Sequence, residues 1–274
     1  MDINCPTVIP YYGGKFEISK KLVRHLPDHL RYFEPFFGGG SMYFRKNKVD
    51  WNILNDVDND LVNLYICVID KFNELANRIY WYPRSRKLHD DFRSVIKSTQ
   101  YIDIPDVERA SQYYYIVRNA FNSKPLNTFS KDSYWNTRMV EELKMSKKKL
   151  DGATIENLDF EELIERYSIR DGDFIYLDPP YVIADKKDYY RNRFDSDMHN
   201  RLKNVIEHIS DNDGKFMLSY DNKPEVRDMY SEYNITTIKT KYVGRRSDPS
   251  KEFKELIITN FKMNNTQMEM FNGA

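Results

Sequence analysis

The sequence predicts an α/β fold in which a mostly parallel sheet is covered by helices, and three observations lead to it. Short apolar runs alternate with amphipathic stretches on both sides of the middle third. Glycine- and proline-rich turns follow directly on two of those runs. Between about residues 71 and 150 the alternation stops and the pattern becomes helical.

In chain order, Arg31 to Ile69 reads as strand, glycine cluster opening a helix, strand and second helix. The alternation resumes with Ala153 to Ile155 as a strand, Phe160 to Tyr167 as a helix and Phe174 to Leu177 as a buried strand. A helix over Ser196 to Ile209 and a short one near Pro224 to Tyr230 are interleaved with strands at Phe216 to Ser219, Ile235 to Val243 and Glu255 to Phe261. Residues 1–70 and 151–274 are therefore expected to form one domain, with 71–150 inserted as a second, helical one broken by a polar stretch from Asn119 to Ser133.

Length and composition suit one enzyme-sized unit: 274 residues, 41% hydrophobic. There is neither a leader pattern nor a long apolar run, so no membrane association is expected. Cys5 and Cys67 have no Cys or His beside them at ligand spacing, which argues against a disulfide framework and against a metal. The net charge of zero hides a strong asymmetry. Arg78 to Lys149 holds fifteen Lys and Arg against eight Asp and Glu, so the rest of the chain is net negative by seven. The same segment carries twelve aromatics, a mixture suited to tracking phosphates and stacking on bases.

Three motifs carry chemistry. Glu34-Pro35-Phe36-Phe37-Gly38-Gly39-Gly40-Ser41 follows a strand, where a sharp turn brings backbone close to a ligand; it lacks the pattern of a phosphate loop. Asp56 ends the next strand, placed to accept hydrogen bonds from ribose hydroxyls. Asp178-Pro179-Pro180-Tyr181 ends a third, where a carboxylate, proline carbonyls and a ring face suit a planar base bearing an amino group.

With Ile9-Pro10-Tyr11-Tyr12-Gly13-Gly14-Lys15, Asn157-Leu158-Asp159-Phe160 and Glu255 to Asn260 added, the chain resembles the Dam-type adenine-N6 DNA methyltransferases along nearly its whole length. The resemblance implies a seven-stranded Rossmann-like S-adenosylmethionine-dependent methyltransferase sheet with an inserted, mainly helical target-recognition domain. It implies S-adenosyl-L-methionine as cofactor and double-stranded DNA as partner. By the same resemblance Tyr11, Lys15, Glu34 and Gly38 contact the cofactor, Asp56 holds its ribose, and Asp159 with Phe160 frames its adenine. Asp178, Pro179, Pro180 and Tyr181 would be catalytic. Arg118, Asn122 and Lys124 are the candidates for DNA contact, and the loop Tyr189 to Arg193 and the run Lys239 to Arg246 also carry charges that suit phosphates.

The insert departs from the family pattern: Arg118-Asn119-Ala120-Phe121-Asn122-Ser123-Lys124-Pro125 stands where relatives often carry a Phe-Asn-Pro-Phe-Gly run, so the familiar GATC target is not assigned. The chemistry agrees with the residue types, because a sulfonium methyl donor needs neither a covalent nucleophile nor a metal. An adenine in a duplex must be flipped out to reach it. Two alternatives stay open at this point, cytosine-N4 methylation and a DNA-binding relative without turnover. Also open are a cognate restriction endonuclease as companion, the oligomeric state, and a solitary or phage-borne role. The expected location is the cytoplasm of a bacterial or phage-infected host cell.

Overall fold

The computed structural model describes residues 5–11, 15–98, 103–180, 196–241 and 252–263. Its first elements are helix α1 (Phe16–Leu22), strands β1 (Arg31–Glu34) and β2 (Trp51–Asn55) and helix α2 (Asn59–Asp70). The middle of the chain is helical, with α3 (Phe72–Trp81), α4 (Arg86–Ser98), α5 (Val107–Asn119) and α6 (Arg138–Leu150). Then come β3 (Thr154–Glu156), α7 (Phe160–Tyr167), β4 (Asp173–Leu177), α8 (Ser196–Asp211), β5 (Lys215–Asp221), α9 (Pro224–Met229), β6 (Asn234–Lys241) and β7 (Glu252–Thr259).

The strands form one seven-stranded sheet in the order β3-β2-β1-β4-β5-β7-β6. β3, β2, β1, β4 and β5 pair in parallel, and β7 runs antiparallel to both β5 and β6. The central strands are buried on both faces, so their side chains divide by alternation between two apolar layers. Tyr32, Leu54, Phe174, Tyr176, Met217 and Ile257 join one cluster with α1, α2, α5 and α6. Phe33, Ile53, Ile175, Leu177, Leu218 and Ile258 join the other with α7, α8 and α9. At the far edge from the site, Arg31 and Asp173 are direct cross-strand partners and form a two-pronged ion pair at 2.6 and 2.5 Å.

One expectation is corrected. The glycine cluster does not open a helix; residues 41–45 run through turns, closed by Gly40 N–H to the Phe37 carbonyl at 2.7 Å and Phe44 N–H to the Gly40 carbonyl at 3.0 Å. The reason is burial on all sides: Met42, Tyr43, Phe44, Arg45 and Lys46 are consecutive and all buried, which leaves no polar face for a surface helix. Gly40 itself has φ +65°, and a Cβ there would lie 2.5 Å from the Phe37 ring.

The helices between β2 and β3 are fastened to the sheet layer through α2. Arg109 of α5 meets Asp60 of α2 in a buried pair at 2.5 and 3.1 Å, and Asn63 exchanges hydrogen bonds with the Asp106 backbone at 2.8 Å each way. Asp106 also caps α5 by accepting from Arg109 N–H at 2.9 Å.

Asn55, at the end of β2, ties the carboxyl edge together. Its amide donates to the carbonyls of Pro35 at 2.9 Å and Leu158 at 3.0 Å, while its oxygen accepts from Leu158 N–H at 2.8 Å. Asn55→Ala would strand these groups next to a buried site, so we expect a loss of about 2–4 kcal/mol, measured as a shift in urea midpoint at unchanged slope. A change below about 0.5 kcal/mol would mean that water replaces the amide at no cost.

Candidate active site

The strand order reverses between β1 and β4, β2 and β3 lying on one side of β1 and β4 and β5 on the other. After β1 the chain turns into the first apolar layer through Met42 to Phe44, whereas α8, the next described element after β4, packs in the second. Such a reversal leaves a crevice at the carboxyl ends of the two strands, the usual ligand site of open α/β sheets.

Acidic side chains line that edge. Glu34 is the last residue of β1, Asp56 follows β2, Asp178 follows β4 and Asp221 ends β5. Lys15, just before α1, lies among them with its Nζ 3.5 Å from Asp178 Oδ1 and 3.5 Å from Glu255 Oε1. Lys15 and Glu255 side chains are only 3% exposed and Asp178 is 20% exposed, so the aspartate is the member of the set that looks outward. Pro179 is buried and Pro180 half-buried beside it.

Glu34 receives the Tyr32 hydroxyl at 2.7 Å, and burial with the Asp178 charge nearby pushes its carboxyl up to about 8. Behind Tyr32, Lys46 lies with its Nζ 4.2 Å from the ring centre, and burial and the Lys149 charge push it down to about 7. Asp56 accepts from Gly38 N–H at 2.8 Å and Asp58 N–H at 3.0 Å; burial still lifts it to about 6. The turn above it is shaped by Tyr11: a Cβ at Gly39 would lie 2.6 Å from Tyr11 Cβ, and Gly38 takes φ +48° with its carbonyl held by the Tyr65 hydroxyl at 2.8 Å. The glycines thus make room for a ring of the protein itself.

Asp159 caps α7 by accepting from Glu161 N–H at 3.0 Å and also pairs with Arg201 at 2.5 Å. Phe160 is buried, with Phe36 at 5.2 Å between ring centres and the Arg201 guanidinium at 5.0 Å. Both residues lie at the amino end of α7, where Asn55 binds Leu158.

The DNA-contact candidates lie at the end of α5 and in the loop after it. Arg118 donates to the Val8 carbonyl at 3.0 Å, approaches Glu142 at 3.4 Å and stacks over Tyr114 at 5.2 Å, so its guanidinium braces α5 against the amino-terminal segment. Asn122 is exposed at φ +56° in the loop after α5, and Lys124 is half-buried, which lowers its basicity. Lys147 and Lys149 donate to the carbonyls of Ile69 at 2.5 Å and Lys46 at 2.6 Å. Tyr181, Tyr12 to Gly14, Tyr189 to Arg193 and the part of the Lys239 to Arg246 run beyond Lys241 lie outside the described residues.

Glu255, Asp221, Tyr32, Lys46 and Asn55 of the site were given no role by sequence. Only Glu255 left a signal, at the start of the Glu255 to Asn260 stretch that carries part of the resemblance.

The strand order, the antiparallel seventh strand and the carboxylates at the ends of β1, β2 and β4 define the class of Rossmann-like methyltransferases. Within that class, the chain belongs to the D12 class N6 adenine-specific DNA methyltransferases, whose family model matches residues 11–244. The type II methyltransferase M1.LlaDCHI of Lactococcus lactis subsp. cremoris is 27% identical over 94% of this chain and 96% of its own length. The type II methyltransferase M.MjaIII of Methanocaldococcus jannaschii is 26% identical over 92% and 98%, and the DNA adenine methylase of Escherichia coli K12 is 22% identical over 85% and 87%. The protein is an adenine-N6 DNA methyltransferase, and the cytosine-N4 alternative falls away with the family.

A carboxyl with a raised pKa keeps its proton in the fold after the unfolded chain has lost it. Glu34 therefore makes stability fall as pH rises from 4.5 toward about 8. Lys46, pushed below its ordinary 10.5 to about 7, works with the opposite sign above that value. We expect Glu34→Gln to flatten the decline of melting temperature between pH about 5 and about 8 relative to the parent. Parallel curves for the two proteins would show that Glu34 is ionised throughout.

Proposed function

We propose that the crevice between β1 and β4 holds S-adenosylmethionine on its β1–β2 side and the target adenine, flipped from duplex DNA, on its β4 side. The observation that carries this reading is Asp178 at the open edge of β4, tethered through Lys15 to the buried Glu255. The donor set suits the cofactor: Asp56 offers acceptors for ribose hydroxyls, Glu34 an acid for an ammonium group, and Phe36 and Phe160 apolar walls. When bound, S-adenosylmethionine supplies an electrophilic methyl group on a sulfonium centre.

The chain's own residues act on the other reactant. The N6 lone pair of adenine is delocalised into the ring. Acceptance of its two N–H groups by the Asp178 carboxylate and the Pro179 carbonyl concentrates electron density on nitrogen and turns it toward the methyl group. Lys15 holds Asp178 in place, and the resemblance assigns Tyr181 to stacking on the base. Catalysis is then positioning and electrostatics, with no covalent enzyme intermediate.

Residues 71–150 act as the target-recognition insert and residues 1–70 and 151–274 as the catalytic part. Of the three DNA-contact candidates, exposed Asn122 suits a base edge and Lys124 a phosphate. Arg118 donates to the Val8 carbonyl and braces the end of α5 from which their loop departs. No helix among the described residues is long and apolar enough to cross a membrane, in keeping with an enzyme that works on DNA in the cytoplasm. Relatives called type II methyltransferases and relatives called DNA adenine methylases are both similar to this chain, so a companion endonuclease is tested by the neighbouring genes and by protection of host DNA from cleavage.

Asp178→Ala should lower the single-turnover rate at saturating DNA and cofactor by at least about a hundredfold while the protein stays folded. A fall of less than threefold would remove Asp178 from the chemistry. Asp56→Ala should weaken cofactor affinity by about 1.5–3 kcal/mol in calorimetry and leave DNA affinity nearly unchanged. Equal cofactor affinity would reduce Asp56 to a brace for the Gly38 turn. Asn122→Ala should relax the methylated sequence at one base position, read by sequencing modified bases, at a cost of about 1–3 kcal/mol in discrimination. An unchanged pattern would move base reading elsewhere.

A further inference from the structure

Asp159 stands one strand farther along the carboxyl edge than Asp56, in the turn between β3 and α7. The two turns are joined directly, since the Asn157 amide donates to the Asp56 carbonyl at 2.9 Å and Asn55 accepts from Leu158 N–H at 2.8 Å. Arg201 of α8, half-buried, reaches the same turn and spans three consecutive residues. Its Nη2 donates to Asp159 Oδ1 at 2.5 Å, its Nε donates to Glu161 Oε2 at 2.7 Å, and its guanidinium carbon lies 5.0 Å from the centre of the Phe160 ring between them. Phe36, from the turn after β1, meets that ring at 5.2 Å.

Three features of this arrangement go beyond a tie between two helices. Both hydrogen bonds to Asp159, from Arg201 and from Glu161 N–H at 3.0 Å, end on Oδ1, and among the described residues no donor reaches Oδ2. Two donors on one oxygen fix the plane of a carboxylate, so the other oxygen is aimed in a single direction. A guanidinium at the amino end of a helix opposes the helix dipole, so packing alone does not favour Arg201 there; the two carboxylates do. The helix that carries Arg201 is also anchored on its other face. His199, two residues earlier and buried, hydrogen-bonds through Nδ1 with the Tyr220 hydroxyl of β5 at 2.6 Å.

We propose that Arg201 is a positioning residue for the cofactor: by holding Asp159 Oδ1 it aims Oδ2 at the 6-amino group of the cofactor's own adenine, and it steadies the Phe160 ring against which that adenine lies. The inference rests on the cofactor reading of the crevice and deepens it by naming what selects adenine among purines. An acceptor fixed in that place pairs with a 6-amino group, whereas a 6-carbonyl would bring lone pairs against lone pairs. A carboxylate left to rotate would turn away from the carbonyl, and the selection would be lost. Arg201 thereby acts through Asp159 and Phe160 without touching the reacting atoms.

The test is calorimetry on the full chain with S-adenosylhomocysteine and S-inosylhomocysteine, which carry an amino group and a carbonyl oxygen at purine C6. The parent should prefer the adenosyl compound by at least about tenfold. Arg201→Ala should lose affinity for the adenosyl compound and keep that for the inosyl compound, so that most of the preference disappears. In turnover, KM for S-adenosylmethionine should rise while kcat at saturation, KM for DNA and the methylated sequence hold. Arg201→Lys keeps a cation between α7 and α8 but lacks the planar fork, so it should recover the parent's melting temperature and only part of the preference. The parent's full preference in both variants, even with the two affinities lowered together, would make Arg201 a mere fastening of α7 to α8 and overturn the proposal. Absence of any preference in the parent would instead remove Asp159 from reading the cofactor, and the proposal would fall with that reading.

Discussion

Everything at the carboxyl edge depends on burying several like charges in one small space. Glu34, Asp56, Asp178 and Asp221 converge there because four strand ends or their neighbours carry a carboxylate, and Glu255 joins them from within β7, directly across from Asp221. Two devices make this tolerable in a site of low dielectric. Lys15 bridges Asp178 and Glu255, and Glu34 is pushed up to about 8 so that its proton stays on near neutrality. An arriving ammonium would reverse the second device, since a nearby cation favours the ionised carboxylate. The edge is thus held in a state that a cationic ligand improves, which is how binding energy becomes available for orientation.

The same edge is stiff where it has to be. Asn55 joins the loops after β1 and β3, Tyr65 holds the Gly38 carbonyl, and the Gly38 N–H in turn fixes Asp56. Each of these bonds spans elements distant in sequence, so the pocket floor forms only when the sheet has assembled. The Asp60–Arg109 pair and the Asn63–Asp106 exchange then fix the helical segment relative to that floor. Any DNA contact made by the segment is consequently registered to the position of Asp178 through α2.

Basic residues divide into two kinds that composition cannot separate. Arg84 is spent on loop carbonyls of Ser130 and Lys131, at 3.1 and 2.8 Å, and Arg118, Lys147 and Lys149 on other carbonyls. Lys131, Arg138, Lys144 and Lys148 are exposed. The positive excess of the middle third therefore overstates the charge it presents to DNA.

The sequence by itself determined the alternation of strands and helices, the ends of α7 to the residue, and the three turns that carry Glu34, Asp56 and Asp178. It did so because these features are local: periodicity, a capping aspartate and glycine or proline turns are written in adjacent residues. The helix expected after Gly40 failed for a non-local reason, since Met42 to Lys46 are buried by parts of the chain far away in sequence. Tertiary structure alone decided that Lys15 reaches Asp178 and Glu255, that Tyr32 and Lys46 stand behind Glu34, and that Arg118 is a brace. Those relations join residues up to 240 positions apart, as Lys15 and Glu255 are, and no periodicity within one segment can encode which distant side chain will share a buried space.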